Sequence, residues 1–88
     1  MKVALIGDTS DHGGTIINSG GNDTVKVNGV EIAIDGALHS CPIEGHGITP
    51  ITAITERTFI DGVLVITEGA VAGCGAVMQA PDRGVNIE

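Results

Sequence analysis

A threefold internal repeat limits the folds open to this chain more than any other feature. Each copy starts with glycine and has a potential metal ligand five residues later; the copies span 7–12, 36–41 and 69–74 and end in His12, Cys41 and Cys74. Copies about 30 residues apart indicate stacked or rotationally related units. We therefore expect one small domain over residues 1–88, with three similar arms that converge at a point.

The segments between the copies predict β-hairpins. Asn28-Gly29 and Asp61-Gly62 each lie between short runs rich in β-branched residues. Such dipeptides favour type I′ turns, because both central residues of that turn need a positive φ. We expect strands over 25–27 and 30–32, over 58–60 and 63–65, and a last strand that includes Val85 and Ile87. No segment has a helical period, so the predicted fold class is all-β.

The composition indicates that the hydrophobic core needs help. Phe59 is the one aromatic residue, and 14 of the 88 residues are glycine. Aromatic side chains normally supply much of the buried area in a core. A domain of this size often depends on a metal, on disulfides or on a partner for stability.

The charge argues against two classes of partner. A formal net charge of −7 with four basic residues does not suit a nucleic-acid surface, and anionic lipids would repel the chain. The N-terminus does not resemble a signal peptide, and no apolar run approaches the roughly 20 residues of a membrane span. We expect synthesis in the cytoplasm and, for export, a route that needs no N-terminal signal.

A cluster of potential zinc ligands is the strongest chemical signal in the sequence. His39, Cys41 and His46 lie within one short segment, and His12 lies in a second glycine-rich segment. Three imidazoles and one thiolate form an ordinary tetrahedral zinc set. The first predicted site is therefore His12, His39, Cys41 and His46, with Cys74 nearby but uncoordinated.

The repeat also leaves a second ligand set open. His39 is the repeat equivalent of Ser10 and Ala72, neither of which binds zinc, whereas Cys74 is the equivalent of His12 and Cys41. The alternative set is therefore His12, Cys41, His46 and Cys74, with His39 outside it.

A catalytic reading is weaker than a structural one. Cys41 could pair with His39 or His46 and with Asp35 as in a thiol protease, but no local signature of such an enzyme surrounds it. Four protein ligands leave no open position on zinc, which favours a structural site. A small zinc enzyme and a cytosolic metal-binding module remain the alternatives.

Several segments together resemble the PAAR-repeat proteins, and the resemblance extends over essentially the whole chain. The Pro-Ala-Ala-Arg run that names the family is absent here. The segments that carry the resemblance are 7–14, 25–29, 39–42, His46-Gly47 and 69–76.

The resemblance implies a fold, a cofactor and a partner. PAAR proteins form a pointed cone that caps the trimeric β-helical spike of type VI secretion systems, contractile phage tails and related particles, and they help it pierce a membrane. A zinc near the apex has three histidines and one cysteine as ligands, which here match His12, His39, Cys41 and His46. The chain would then be a bare tip with no effector domain, exported with its spike.

Docking on a spike requires an apolar base. The sequence offers Ile48, Ile51 and Ile54, together with the non-alternating apolar run 63–66. Exposed apolar patches usually mark an interface, and the open edges at the end of a β-helix need a cover. We expect an interface built from the hairpins rather than from the zinc loops.

Overall fold

A computed structural model describes residues 2–22, 25–43, 45–81 and 87, and this part of the chain contains short β-strands and no helix. The predicted all-β class is confirmed. None of the described residues belongs to a helix that is long and apolar enough to cross a membrane. The strands are β1 (Thr15–Asn18), β2 (Lys26–Val27), β3 (Val30–Glu31), β4 (Leu38–Ser40), β5 (Ile48–Thr52), β6 (Phe59–Ile60), β7 (Val63–Leu64) and β8 (Val71–Ala72).

Two predicted hairpins form around the expected turns. β2 pairs with β3 and β6 pairs with β7, both antiparallel. At the turns, Asn28 and Asp61 each have a φ of 52°, and the glycines that follow have φ values of 82° and 80°. Positive φ at both central residues is the property that a type I′ turn requires. The predicted last strand falls mostly outside the described residues, because Val85 lies in an undescribed segment.

A ring of backbone hydrogen bonds joins the three repeat units around a pseudo-threefold axis. The N–H of Ala4 donates to Ile66, that of Ile66 donates to Ala33, and that of Ala33 donates to Ala4, at 3.0, 2.9 and 2.9 Å. All three residues are fully buried. Small side chains suit two of these positions because three backbones meet at one point. The ring explains how units about 30 residues apart in sequence share one core.

Beyond this ring, each unit makes the same turn and folds back over the axis. The repeat glycine donates its N–H to the carbonyl of a returning residue, at 2.8, 3.1 and 2.9 Å; the pairs are Gly7 with Ile16, Gly36 with Ile51, and Gly69 with Met78. Each of the three returning side chains is 1% exposed. The same backbone geometry thus supplies three large apolar side chains to one central core.

A four-stranded antiparallel sheet, in the order β1-β4-β5-β8, leads from this core to the ligand segments. His39 lies at the centre of β4, opposite Ile16 on one side and Thr49 on the other. Because side chains alternate along a strand, His39 and Cys41 share the inward face while Ser40 lies on the other face. The sheet therefore directs two potential ligands of one segment toward the axis.

The residues predicted for an apolar base divide into three groups, because Val63 and Leu64 are half-buried. Ile51, Val65 and Ile66 belong to the core, at 1%, 2% and 0% exposure, whereas Ile48 and Ile54 are exposed. The buried residues face the pseudo-threefold axis or the cluster beside the hairpins, so they are not available to a partner.

A second apolar cluster lies beside the hairpins and is only partly covered. Its buried centre consists of Val3, Leu5, Ile32, Ile34 and Val65. Half-buried apolar residues surround that centre, namely Val27, Ile60, Val63 and Ile87. The hairpins thus present apolar side chains that the chain itself does not fully enclose.

Candidate metal centre

Two equivalent turns position His12 and Cys74. In the first turn, Ser10 donates to Gly14 and Gly13 donates back to Ser10, both at 3.0 Å. In the second turn, the same two bonds join Ala72 to Ala76 and Gly75 to Ala72, at 2.8 and 2.9 Å. Gly13 and Gly75 have φ values of 81° and 91°, which a side chain would strain. The repeat therefore delivers a histidine and a cysteine to equivalent positions.

A longer loop supplies Cys41 and His46. The N–H of Cys41 donates to the carbonyl of Gly47 at 3.1 Å, which closes the loop at its base. Inside it, the N–H of His46 donates to the carbonyl of Ile43 at 3.0 Å and turns the chain back. Cys41 is the repeat equivalent of His12 and Cys74, while His46 has no equivalent in the other two units.

The ligand atoms of His12, Cys41, His46 and Cys74 all lie within 4.8 Å of one another. Cys41 Sγ is 3.7 Å from His12 Nδ1 and 3.3 Å from His46 Nδ1. The two imidazole rings are tilted by 48°, with centroids 5.1 Å apart. The described chain therefore brings two imidazole nitrogens and two sulfurs to a single point.

These distances fit a tetrahedral ion. With Zn–S near 2.3 Å and Zn–N near 2.0–2.1 Å, tetrahedral angles place sulfur and nitrogen about 3.6 Å apart. The two distances from Cys41 Sγ, 3.3 and 3.7 Å, lie on either side of that value. Two imidazoles and two thiolates are also a standard donor set for a structural zinc site. The residues present therefore suit a tetrahedral metal that prefers nitrogen and sulfur ligands.

The environment of Cys74 favours the thiolate form. Burial raises the pKa of this thiol, but the N–H groups of Ala76 and of Cys74 itself, together with the nearby Thr49 hydroxyl and Cys41 thiol, lower the pKa overall. The Thr49 hydroxyl is buried and has no partner at hydrogen-bond distance among the described residues, so it acts on Cys74 as a nearby dipole. The thiolate is the form that binds metal, and a lowered pKa increases its population.

A carboxylate lies beside the second ring nitrogen of His12. With Nδ1 of His12 facing Cys41, its Nε2 lies 3.9 Å from Oδ1 of Asp11. The same carboxylate oxygen accepts a hydrogen bond from the N–H of Val77 at 2.9 Å. At 3.9 Å, which is beyond hydrogen-bond distance, the Asp11 carboxylate acts on the ring through its charge.

His39, the remaining residue of the first predicted set, lies outside the four-residue group. Its side chain is fully buried, and its Nε2 is 2.8 Å from the hydroxyl of Ser10. Its Nδ1 is 4.0 Å from Cys74 Sγ. Burial and the neighbouring His12 lower the pKa of His39, while Asp11 opposes this effect.

The structure thus brings together three of the four residues in the first predicted set, and Cys74 takes the place of His39. This grouping is the alternative that the repeat left open. The signal for Cys74 was its equivalence to His12 and Cys41, whereas nothing in the sequence indicated Thr49. Which residues bind the metal stays a prediction.

Comparison with known proteins agrees with the sequence resemblance. A model of the PAAR-motif family matches residues 6–80, which include all three repeat copies. No curated protein shows a significant match to the chain. The family match, which extends over most of the chain, confirms that the chain belongs to the PAAR-motif family.

Proposed function

We propose that this chain is a structural, zinc-stabilised tip that caps the trimeric β-helical spike of a contractile injection machine and helps it pierce a target envelope. The observation that carries the proposal is the closed hydrogen-bond ring of Ala4, Ala33 and Ile66. Because the ring gives one chain three similar sides, it suits a cap that sits on the end of a threefold spike. The family match supports the same role.

Zinc is the metal that best suits the donor set. We propose His12, Cys41, His46 and Cys74 as its ligands, because their donor atoms converge within 4.8 Å and their chemistry is that of structural zinc sites. Four protein ligands complete a tetrahedral shell, which supports a structural role over a catalytic one. When bound, the metal supplies a cross-link between three repeat units that share a small, aromatic-poor core.

The hairpins are the proposed docking surface. In the second and third repeat units the hairpin precedes the axial ring and the ligand residues follow it, so the ring separates the hairpins from the ligand residues along the chain. Val25, Val30 and Phe59 are exposed apolar residues of this region, at 42%, 38% and 55%. The partly covered cluster around Val27 and Ile60 continues the same surface. An apolar base of this kind would cover the open strand edges of a β-helix.

Co-purification with a trimeric β-helical spike protein from the same genome tests this function. We expect one copy of the chain per spike trimer on size-exclusion chromatography with light scattering. Phe59→Asp should weaken the complex by roughly thirtyfold or more, the effect of losing one interface hot spot. Ile48→Asp is the matched control, because Ile48 is equally exposed but lies in β5, beside the ligand segments.

The outcome separates the tip from its alternatives. A chain that stays monomeric with every spike trimer tested, or equal effects of Phe59→Asp and Ile48→Asp, would contradict docking through the hairpins. Rapid zinc exchange with a weak chelator would instead indicate a metal carrier. A metal-bound water detected in the loaded protein would indicate an open, catalytic site.

A further inference from the structure

His39 occupies a position that metal binding alone does not explain. It lies two residues before Cys41 on the inward face of its strand, and it is the repeat equivalent of Ser10 and Ala72. These three side chains are all buried, at 0%, 4% and 3% exposure. Close to a threefold axis there is room for one large ring only when its two equivalents are small. The layer next to the metal ligands therefore contains one imidazole, one hydroxyl and one methyl group.

The hydrogen bonds of Ser10 fix the tautomer of His39. The hydroxyl oxygen of Ser10 accepts the N–H groups of His12 and Gly14, each at 3.3 Å. A serine hydroxyl has two acceptor positions and one proton. Because both acceptor positions are occupied, the hydroxyl proton is directed to Nε2 of His39, 2.8 Å away. Nε2 is then an acceptor, and the ring proton of the neutral imidazole lies on Nδ1.

The proton on Nδ1 faces a metal ligand. Cys74 Sγ is 4.0 Å from Nδ1 of His39, at the long limit of an N–H···S hydrogen bond. Cys74 also belongs to the group of four converging donors, whereas His39 does not. An N–H donor beside a thiolate ligand orients the sulfur and stabilises its negative charge.

The backbone leaves this arrangement little freedom. A Cβ atom on Gly14 would lie 2.6 Å from Nε2 of His39 and 2.2 Å from the carbonyl oxygen of Ser40. The His39 ring therefore packs directly against Gly14. The N–H of Gly14 is also one of the two donors that orient the Ser10 hydroxyl. Gly14 thus confines the imidazole on one side, and the Ser10 hydroxyl holds it at Nε2.

We propose that His39 is a positioning residue that donates its Nδ1–H to the Cys74 thiolate and orients that ligand, and that it does not coordinate the metal. The inference rests on the zinc site proposed above. The chain Gly14–Ser10–His39–Cys74 then connects the backbone of one repeat unit to the metal ligand of another. In this arrangement the zinc affinity depends on a residue that never touches zinc.

Nuclear magnetic resonance of the wild-type chain provides the direct test. The ¹⁵N-labelled protein is loaded with ¹¹³Cd²⁺, and long-range ¹H–¹⁵N spectra report the tautomer of each imidazole. We expect ¹¹³Cd–¹⁵N coupling at His12 and His46, no coupling at His39, and a His39 ring protonated at Nδ1. Coupling at His39, or a ring protonated at Nε2, would overturn the inference while leaving the metal site intact. Failure to bind one metal ion per chain would overturn the metal site itself.

Substitutions of His39 supply a second, independent readout. The amide N–H of His39→Asn lies close to the position of Nδ1, whereas that of His39→Gln lies close to the position of Nε2. Competition with a chromophoric chelator should show about one zinc per chain in both variants. We expect zinc affinity roughly tenfold to a hundredfold below wild type in His39→Gln, and a smaller loss in His39→Asn. Loss of one metal equivalent in both variants, or the reverse order of affinities, would contradict the proposed role.

Discussion

Adding a single methyl group at Gly14 tests how the fold and the metal centre depend on each other. Gly14 follows the His12 turn, and its N–H donates to the Ser10 hydroxyl. In Gly14→Ala, the new Cβ would lie 2.2 Å from the Ser40 carbonyl oxygen and 2.6 Å from Nε2 of His39. Gly13→Ala is the matched control, because the nearest atom to its Cβ is Cγ of Pro42 at 3.9 Å.

The two substitutions have different physical costs. At Gly13, where φ is 81°, alanine strains the folded backbone by about 1–2 kcal/mol. Alanine also lowers the conformational entropy of the unfolded chain, which offsets about 0.4–1 kcal/mol of this cost. At Gly14, the methyl group overlaps the backbone oxygen of Ser40 and the His39 ring, so β1 and β4 must separate at a cost of about 3 kcal/mol or more. We therefore expect Gly14→Ala to lower the free energy of unfolding by about 2 kcal/mol more than Gly13→Ala.

Urea denaturation of the zinc-loaded proteins measures this difference. With a slope of about 1–2 kcal/mol per molar for a small domain, the midpoint of Gly14→Ala should lie about 1–2 M below that of Gly13→Ala. Chelator competition on the same samples should also show weaker zinc binding by Gly14→Ala, because the methyl group displaces His39. Equal midpoints and equal affinities would refute the argument that Gly14 leaves space for the ring.

Three further predictions concern the metal and its ligands. Removing zinc with a chelator should lower the thermal midpoint by about 40 °C or more, because structural zinc contributes about 10 kcal/mol or more and each kcal/mol is worth about 4–8 °C at this size; an unchanged midpoint in calorimetry would contradict a stabilising metal. His46→Ala should leave three ligands and an open position on the metal. Added imidazole should therefore restore the tetrahedral visible spectrum of this Co²⁺-loaded variant, whereas it should leave the spectrum of the Co²⁺-loaded wild type unchanged. Burial lowers the pKa of His39, so the unfolded chain takes up its proton first and the free energy of unfolding should fall as pH drops below about 6.5; wild type and His39→Asn with the same pH dependence in urea titrations would contradict this.

Local signals in the sequence predicted the hairpins and most of the ligand group. Asn28-Gly29 and Asp61-Gly62 determine their own turns, because few other dipeptides adopt positive φ twice in succession. The equivalence of His12, Cys41 and Cys74 followed from counting residues after each repeat glycine. Both signals depend on contacts within a few residues, which a sequence pattern records well.

The axial ring, and the choice between the two predicted ligand sets, depend on contacts that a sequence pattern does not record. Ala4 and Ala33 carry no pattern that would mark them as partners of Ile66, since their bonds are made by the backbone. His39 and Cys41 share one face of the same strand, so alternation directs both toward the axis. The donor atom of Cys41 nevertheless belongs to the group of four that converge, whereas that of His39 does not.

The proposed metal site would explain why the three repeat units are not identical. A threefold arrangement supplies three equivalent donors, here His12, Cys41 and Cys74, but a tetrahedral ion needs a fourth. His46 supplies it from a loop that the other two units lack, and its Nδ1 lies 3.3 Å from Cys41 Sγ. In the neighbouring layer the axis has room for one imidazole, so His39 has Ser10 and Ala72 as its equivalents. Divergence between the units is thus a requirement of placing one four-coordinate ion on a threefold scaffold.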